Sequence, residues 1–182
     1  MKNKSFYFGY GMNTNRSGMA RRCPAAVSVG AAALYDYDFR FATHADVVPR
    51  SGHKTVGVLW EVTDECMKSL DRLESCYFDK NGNPDPNSYY NRKLVKVLHR
   101  NQWYDAWVYY MTPGISESPP GDSYWNCLLE GYQEHDVSSR QLHRAIKSAY
   151  DSIEPLTTQY EYDRWSYRSG GSEVWHNQSF AN

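Results

Sequence analysis

Two short stretches of this 182-residue chain combine side-chain types that can move a proton or hold an anion. The first is Leu70-Asp71-Arg72-Leu73-Glu74. Glu74 falls where an apolar helix face gives way to a loop. A carboxyl at such a boundary can be half-buried, and burial disfavours its charged form and raises its pKa. A group tuned that way can take a proton and return it near neutral pH. Read on position alone, a solvated helix-end carboxylate is the commoner outcome. Asp71, one helical turn back, would pair with Arg72 or face solvent. The second stretch is Tyr10-Gly11-Met12-Asn13, directly after an aromatic run. Gly11 permits backbone geometry closed to other residues. Successive N–H groups in such a turn can form a nest for a carboxylate, although strand–glycine turns also occur widely without any ligand.

Other chemistries lack their residue patterns. The chain contains no GxGxxG, P-loop, GxSxG or HExxH motif. The six histidines, at 44, 53, 99, 135, 143 and 176, are dispersed. Nothing in their spacing asks for a metal. His44-Ala45-Asp46 is a suggestive pair, but His44 reads as a strand-end or loop residue. A net charge of −1 provides no bulk attraction to nucleic acid or to a membrane surface. The local basic cluster Arg16, Arg21 and Arg22 reads as a solvated face. Cys23, Cys66, Cys76 and Cys127 have neither CxxC nor zinc-finger spacing. The first residues lack the apolar region of a signal peptide, and no run reaches the ~20 apolar residues of a membrane helix. The expectation is a cytoplasmic protein with four free thiols.

The elements that must position the two stretches follow from periodicity. Ser5–Tyr10 predicts a buried strand entering a turn at residues 11–14, followed by a short helix over Ser17–Arg22. Val27–Ala33 and Tyr35–Phe41 predict strands, the second with one aromatic face. A turn is expected at Ser51–Gly52. Lys54–Val62, KTVGVLWEV, carries the strongest strand pattern, with Gly57 marking a close backbone approach or a bulge. Thr63 is a good N-cap for a helix over Asp64–Leu73 with Met67, Leu70 and Leu73 on one face. Residues 79–88 form a polar loop. Tyr90–His99 and Gln102–Met111 predict a hairpin, and Tyr124–Tyr132 and Ser138–Tyr150 predict helices. The result is one α+β domain over residues 1–153, a small mixed β-barrel or strongly curved sheet with flanking helices. Residues 154–182 form a C-terminal extension that either packs on the domain or is loosely ordered.

Taken in order, these segments resemble the γ-glutamylcyclotransferase-like, or AIG2-like, family. FGYGMN at 8–13 is similar to the family's YGSN-type loop, with Met12 where the family has serine. MARRCP at 19–24 resembles the short helix after that loop. VGVLWEV at 56–62 resembles the central strand. SLDRLE at 69–74 resembles the L-D-x-x-E segment. YNRKLVKV at 90–97, WVYYM at 107–111 and SPPGDSYWNCLLEG at 118–131 resemble the later segments. The likeness spans about residues 5–147.

The resemblance implies a small mixed barrel with Glu74 as catalytic acid and base. It implies a small-molecule γ-glutamyl substrate, released as 5-oxoproline and a free amine, with no metal or organic cofactor. Backbone N–H groups of Gly11, Met12 and Asn13 would hold the substrate α-carboxylate. Tyr10, Tyr90 and Tyr109 would line the pocket or bond Glu74. Two rival readings stay open at this point: a non-catalytic small-molecule-binding module on the same fold, or a protein-interaction domain using Tyr160, Tyr162, Trp165, Tyr167 and Trp175 as anchors.

Overall fold

Aromatic and β-branched residues build five strands: β1 (Lys4–Gly9), β2 (Val27–Ala42), β3 (His44–Thr63), β4 (Tyr90–His99) and β5 (Gln102–Met111). Four helices accompany them: α1 (Arg16–Arg22), α2 (Asp64–Leu73), α3 (Asp122–Glu134) and α4 (Arg140–Ile153). A single 3-10 turn, Met12–Thr14, follows β1. This computed structural model describes residues 4–153. The expected extension over 154–182, with its five candidate aromatic anchors, lies outside the described residues.

The strands close into a barrel in the order β1-β3-β2-β4-β5. β1 runs antiparallel to β3, from Lys4 opposite Thr63 to Gly9 opposite Val58. Closure comes from a short parallel contact of β1 with β5, where Phe6 faces Ala106 and Tyr7 faces Trp107. β4 and β5 form the expected hairpin. Its two-residue turn, Arg100–Asn101, has φ of 46° and 64°, the left-handed pair that matches the twist of the flanking strands.

Two expected strands are one. Val27–Ala33 and Tyr35–Phe41 run continuously as β2, with register shifts between Ser28 and Gly30 and between Tyr35 and Tyr37. At the second shift Tyr35 pairs with Lys54 and Tyr37 with Pro49. Residues 50–53 therefore bow out opposite Asp36 alone. Asp36 is left-handed at φ 60°, and its carboxylate accepts from the Gly52 N–H at 3.0 Å. The expected turn at Ser51–Gly52 is thus a bulge within one long strand rather than a strand end, and such a bulge adds the bend a small barrel needs. It also breaks the aromatic alternation. Phe39 and Phe41 face the core, whereas Tyr35 is exposed.

On one face of the closed sheet, Phe8, Leu59, Val97, Ala106 and Val108 are fully buried. A buried aliphatic or aromatic side chain contributes about 1.5–3 kcal/mol. Gly57 is a site of close approach, since a Cβ there would sit 2.4 Å from the Gly9 carbonyl oxygen. α4 lays Leu142, Ala145, Ile146 and Ala149 against the barrel, with β2 its main contact. α2 starts at Thr63, whose hydroxyl accepts from the Cys66 N–H at 3.3 Å. It buries Cys66, Met67 and Leu70. Leu73, expected on that same face, is instead 42% exposed because the helix ends there.

The four cysteines are free thiols. Among the described residues, no helix is long and apolar enough to cross a membrane.

Candidate active site

The end of α2 fixes Glu74. The helix stops because Ser75 takes a left-handed φ of 48°. Glu74 keeps its own N–H on the Leu70 carbonyl at 2.9 Å. Its carbonyl accepts from the Tyr90 N–H at 3.2 Å, while Tyr89 N–H donates to Ser75 O at 3.1 Å. The backbone of the carboxylate is therefore clamped between α2 and the first residue of β4. The intervening polar loop is pinned at its base, with the Ser88 hydroxyl accepting from the Tyr77 N–H at 2.9 Å.

The end of β1 approaches from the other side. Asn13 donates from Nδ2 to Glu74 Oε1 at 2.8 Å and to the Tyr7 hydroxyl at 3.0 Å. Arg22, from the last turn of α1, donates to Asn13 Oδ1 at 2.8 Å. A guanidinium can only donate, so it holds the amide oxygen on its side and leaves the NH2 facing Glu74. Burial pushes the Glu74 carboxyl up to about 7, against the opposing pull of the Asn13 hydrogen bond and the Arg22 charge. The carboxyl thus sits at the balance point between proton acceptor and donor near neutral pH.

These groups open into a cavity of about 230 Å3. Tyr10, Gly11, Met12, Asn13, Glu74, Tyr90 and Tyr109 all line it. All seven site residues expected from the sequence therefore meet in one place. Of the two roles left open for the tyrosines, the structure shows the first. Their rings line the cavity, but none of their hydroxyls bonds Glu74. Tyr10 donates to the Tyr109 carbonyl at 2.7 Å, Tyr90 to the Ala45 carbonyl at 2.6 Å, and Tyr109 to the Asp71 carboxylate at 2.7 Å. Burial drives all three phenols far above their ordinary pKa, so they stay neutral.

Several details differ from the sequence reading. Asp71 neither pairs with Arg72 nor faces solvent. It holds Arg92 at 2.8 Å and receives the Tyr109 hydroxyl, because β4 and β5 pack beside α2. Arg22 is not part of a solvated face; it turns inward onto Asn13. Gly11 is needed for space rather than for a left-handed backbone: its φ is −102°, and a Cβ would lie 3.0 Å from the Tyr124 hydroxyl and 3.1 Å from Ala45 Cβ. His44 does begin β3, yet it also lines the cavity. Asp46 does not pair with it. Asp46 is buried against Arg40 at 2.8 Å and accepts from the Met111 N–H at 2.8 Å. Residues 79–88 do not line the cavity; Tyr89, just beyond them, does.

Sequence reasoning missed Tyr7, Tyr124, Tyr89 and Leu73 as lining residues. Tyr124 reaches in from α3. Its hydroxyl accepts from the Ala45 N–H at 3.1 Å. α3 can come this close because Gly131 has no Cβ; one there would lie 2.4 Å from Thr14 Oγ1. Among the described residues, no group of three His, Cys, Asp or Glu side chains is arranged to hold a metal.

No curated protein matches the chain. Solved structures share its fold. One described as a gamma-glutamyl cyclotransferase aligns with a TM-score of 0.67 and 21% identity, covering 91% of this chain and 99% of its own. An uncharacterized protein from Homo sapiens aligns with a TM-score of 0.65 and 22% identity, covering 89% of this chain and 97% of its own. YkqA from Bacillus subtilis aligns with a TM-score of 0.64 and 22% identity, covering 81% of this chain and 55% of its own. The family profile described as "Gamma-glutamyl cyclotransferase, AIG2-like" matches residues 6–127, two-thirds of the sequence, and the chain belongs to that family.

Proposed function

We propose that this protein is a γ-glutamyl cyclotransferase acting on a small γ-glutamyl amide, with Glu74 as its single acid and base. The observation that carries the reading is the half-buried carboxylate in the cavity, held against the glycine turn and tuned to about 7. In the reaction, the substrate's α-amine attacks its own γ-amide carbonyl carbon. A C–N bond closes the five-membered lactam, and the C–N bond to the leaving amine breaks. The nucleophile is tethered, so much of the barrier is met by holding the glutamyl chain folded; such intramolecular reactions reach effective molarities of roughly 10⁵ M or more. What remains is proton transfer. The α-ammonium first gives one proton to solvent, since only the neutral amine can attack. Once the C–N bond forms, Glu74 takes the surplus proton from the attacking nitrogen and returns it to the departing one, so one carboxyl completes the cycle unchanged.

Asn13 aims the carboxyl and keeps it from swinging away. The α-carboxylate of the substrate would lie against the Gly11–Asn13 turn. The Tyr124 hydroxyl oxygen receives the Ala45 N–H, so its own proton is directed elsewhere and can be donated to that carboxylate.

The test is release of 5-oxoproline from a panel of γ-glutamyl amides, followed by mass spectrometry. Glu74→Gln keeps the shape and the Asn13 contact but removes the base. Turnover should fall by about 10²–10⁴-fold. Native-rate release of 5-oxoproline by that variant would remove Glu74 from the mechanism.

A further inference from the structure

One wall of the cavity presents aromatic rings whose edges and faces cyclisation itself does not use. Four rings stand edge to face along it. Tyr124 and His44 have centroids 5.0 Å apart, His44 and Tyr89 6.1 Å, and Tyr89 and Tyr90 5.2 Å. His44 is tied to the row by a 3.3 Å contact between Nδ1 and the Tyr89 hydroxyl. Burial lowers its pKa, so the ring is neutral near pH 7. Leu73 lines the same cavity and is 42% exposed; Tyr89 is 38% exposed. Large apolar side chains left in water and gathered at one opening mark a contact surface. A row of edge-to-face rings accepts a further aromatic ring in the same geometry.

The charges point the same way. Among the described residues lining the cavity, Glu74 alone carries a formal charge near neutral pH. Arg22 is committed to Asn13 and does not line the cavity. A carboxylate attached beside the departing nitrogen would therefore meet aromatic walls and the like charge of Glu74, with no cation to receive it. Leaving a buried charge unpaired discriminates strongly against the ligand that carries it.

We propose that this rim selects γ-glutamyl amides whose leaving amine is aromatic and uncharged, in preference to small amines and to amino acids. The inference rests on the cyclotransferase reading for its reaction, but the preference itself is a property of the rim. The amine would lie along Tyr124, His44 and Tyr89 with Leu73 beside it. It would leave as the free amine, carrying the proton that Glu74 returns.

Three compounds test this: γ-glutamyl-phenethylamide, γ-glutamyl-ethylamide and γ-glutamyl-phenylalanine. The second lacks the ring and the third adds a carboxylate. The expected kcat/KM for the phenethylamide exceeds each of the others by about tenfold or more. Equal or inverted values against either competitor overturn the proposal. In Tyr89→Ala and Leu73→Ala the phenethylamide-to-ethylamide ratio should shrink toward one. Because the ratio is taken within one variant, loss of folded protein does not alter it. An unchanged ratio in both variants counts against the rim. Glutaric acid monoamides of the same three amines lack the attacking nitrogen and cannot cyclise, so their affinities for the native protein, read by calorimetry, report the rim without turnover. If no γ-glutamyl compound yields 5-oxoproline, the cyclotransferase reading fails, and the affinity order then decides the rim. Tightest binding of the phenethylamide supports it; no preference overturns it.

Discussion

Asn13 shows how much a single side chain contributes here. Its expected part was a backbone N–H in an anion nest. The structure adds a side-chain role, with one amide end receiving Arg22 and the other donating to Glu74 and Tyr7. The carboxyl is thereby held while burial raises its pKa to about 7. The base works only when ionised. For a substrate that turns over, kcat/KM should therefore rise with pH through an apparent pKa of about 7, measured as a pH–rate profile. Arg22 opposes the rise, so Arg22→Met should move that limb to higher pH. A limb that stayed in place or moved down would show that the guanidinium does not act on Glu74. Glu74 was legible in the sequence through the resemblance of SLDRLE to the family's L-D-x-x-E segment; its place at a helix end pointed, by itself, to a solvated carboxylate. Arg22 was not, because an arginine beside Arg21 has the composition of a solvated face whichever way it turns.

At the scale of elements, the site depends on ends rather than on middles. β1 ends in the glycine turn, α2 ends at Glu74, and β4 begins with Tyr90 bonded to the Glu74 carbonyl. α3 closes the arrangement by resting on the turn through Gly131. Gly131→Ala would place a methyl 2.4 Å from Thr14 Oγ1 and 2.6 Å from the Asn15 nitrogen. The backbone there cannot yield cheaply, so the helix must shift. The expected cost is about 1–3 kcal/mol, or a fall in Tm of about 2–4 °C per kcal/mol, read by thermal denaturation. Because the same shift moves Tyr124, KM should rise as well. A variant with native Tm and native KM would show that α3 does not brace the turn. The helices and the hairpin were predicted closely, since caps and periodicity are local. β2 was not, because a bulge at Asp36 leaves a sequence that looks like two strands separated by a break.

For the molecule as a whole, the tuned carboxyl has a stability consequence. Its ordinary pKa is 4.5 and its folded value is about 7. Below pH 4.5 the group is protonated in folded and unfolded chains alike. Between the two values the unfolded chain ionises it first, so stability falls as pH rises, and the loss is complete above about 7. Water reaches one side of the group, which reduces the full linkage value to about 1–3 kcal/mol. Glu74→Gln has no such titration. Its stability relative to the native protein should grow by that amount from pH 4 to pH 8, measured by urea melts. A difference that stays constant with pH would argue against a raised pKa. The native protein thus gives up stability near neutral pH to keep a proton carrier in the cavity.

Composition, periodicity and motif order by themselves determined the α+β class, the helix and hairpin boundaries, and the two stretches that meet at the cavity. These are properties of neighbours in sequence: a cap acts over three residues and a strand repeats every two. The tertiary structure decided which groups surround Glu74, why Asp71 belongs to Tyr109 and Arg92, and that an aromatic row flanks the opening. Those contacts join residues far apart in sequence, such as Asn13 with Glu74 and Tyr124 with Ala45. Only barrel closure, through the brief parallel contact of β1 with β5, settles which distant side chains become neighbours.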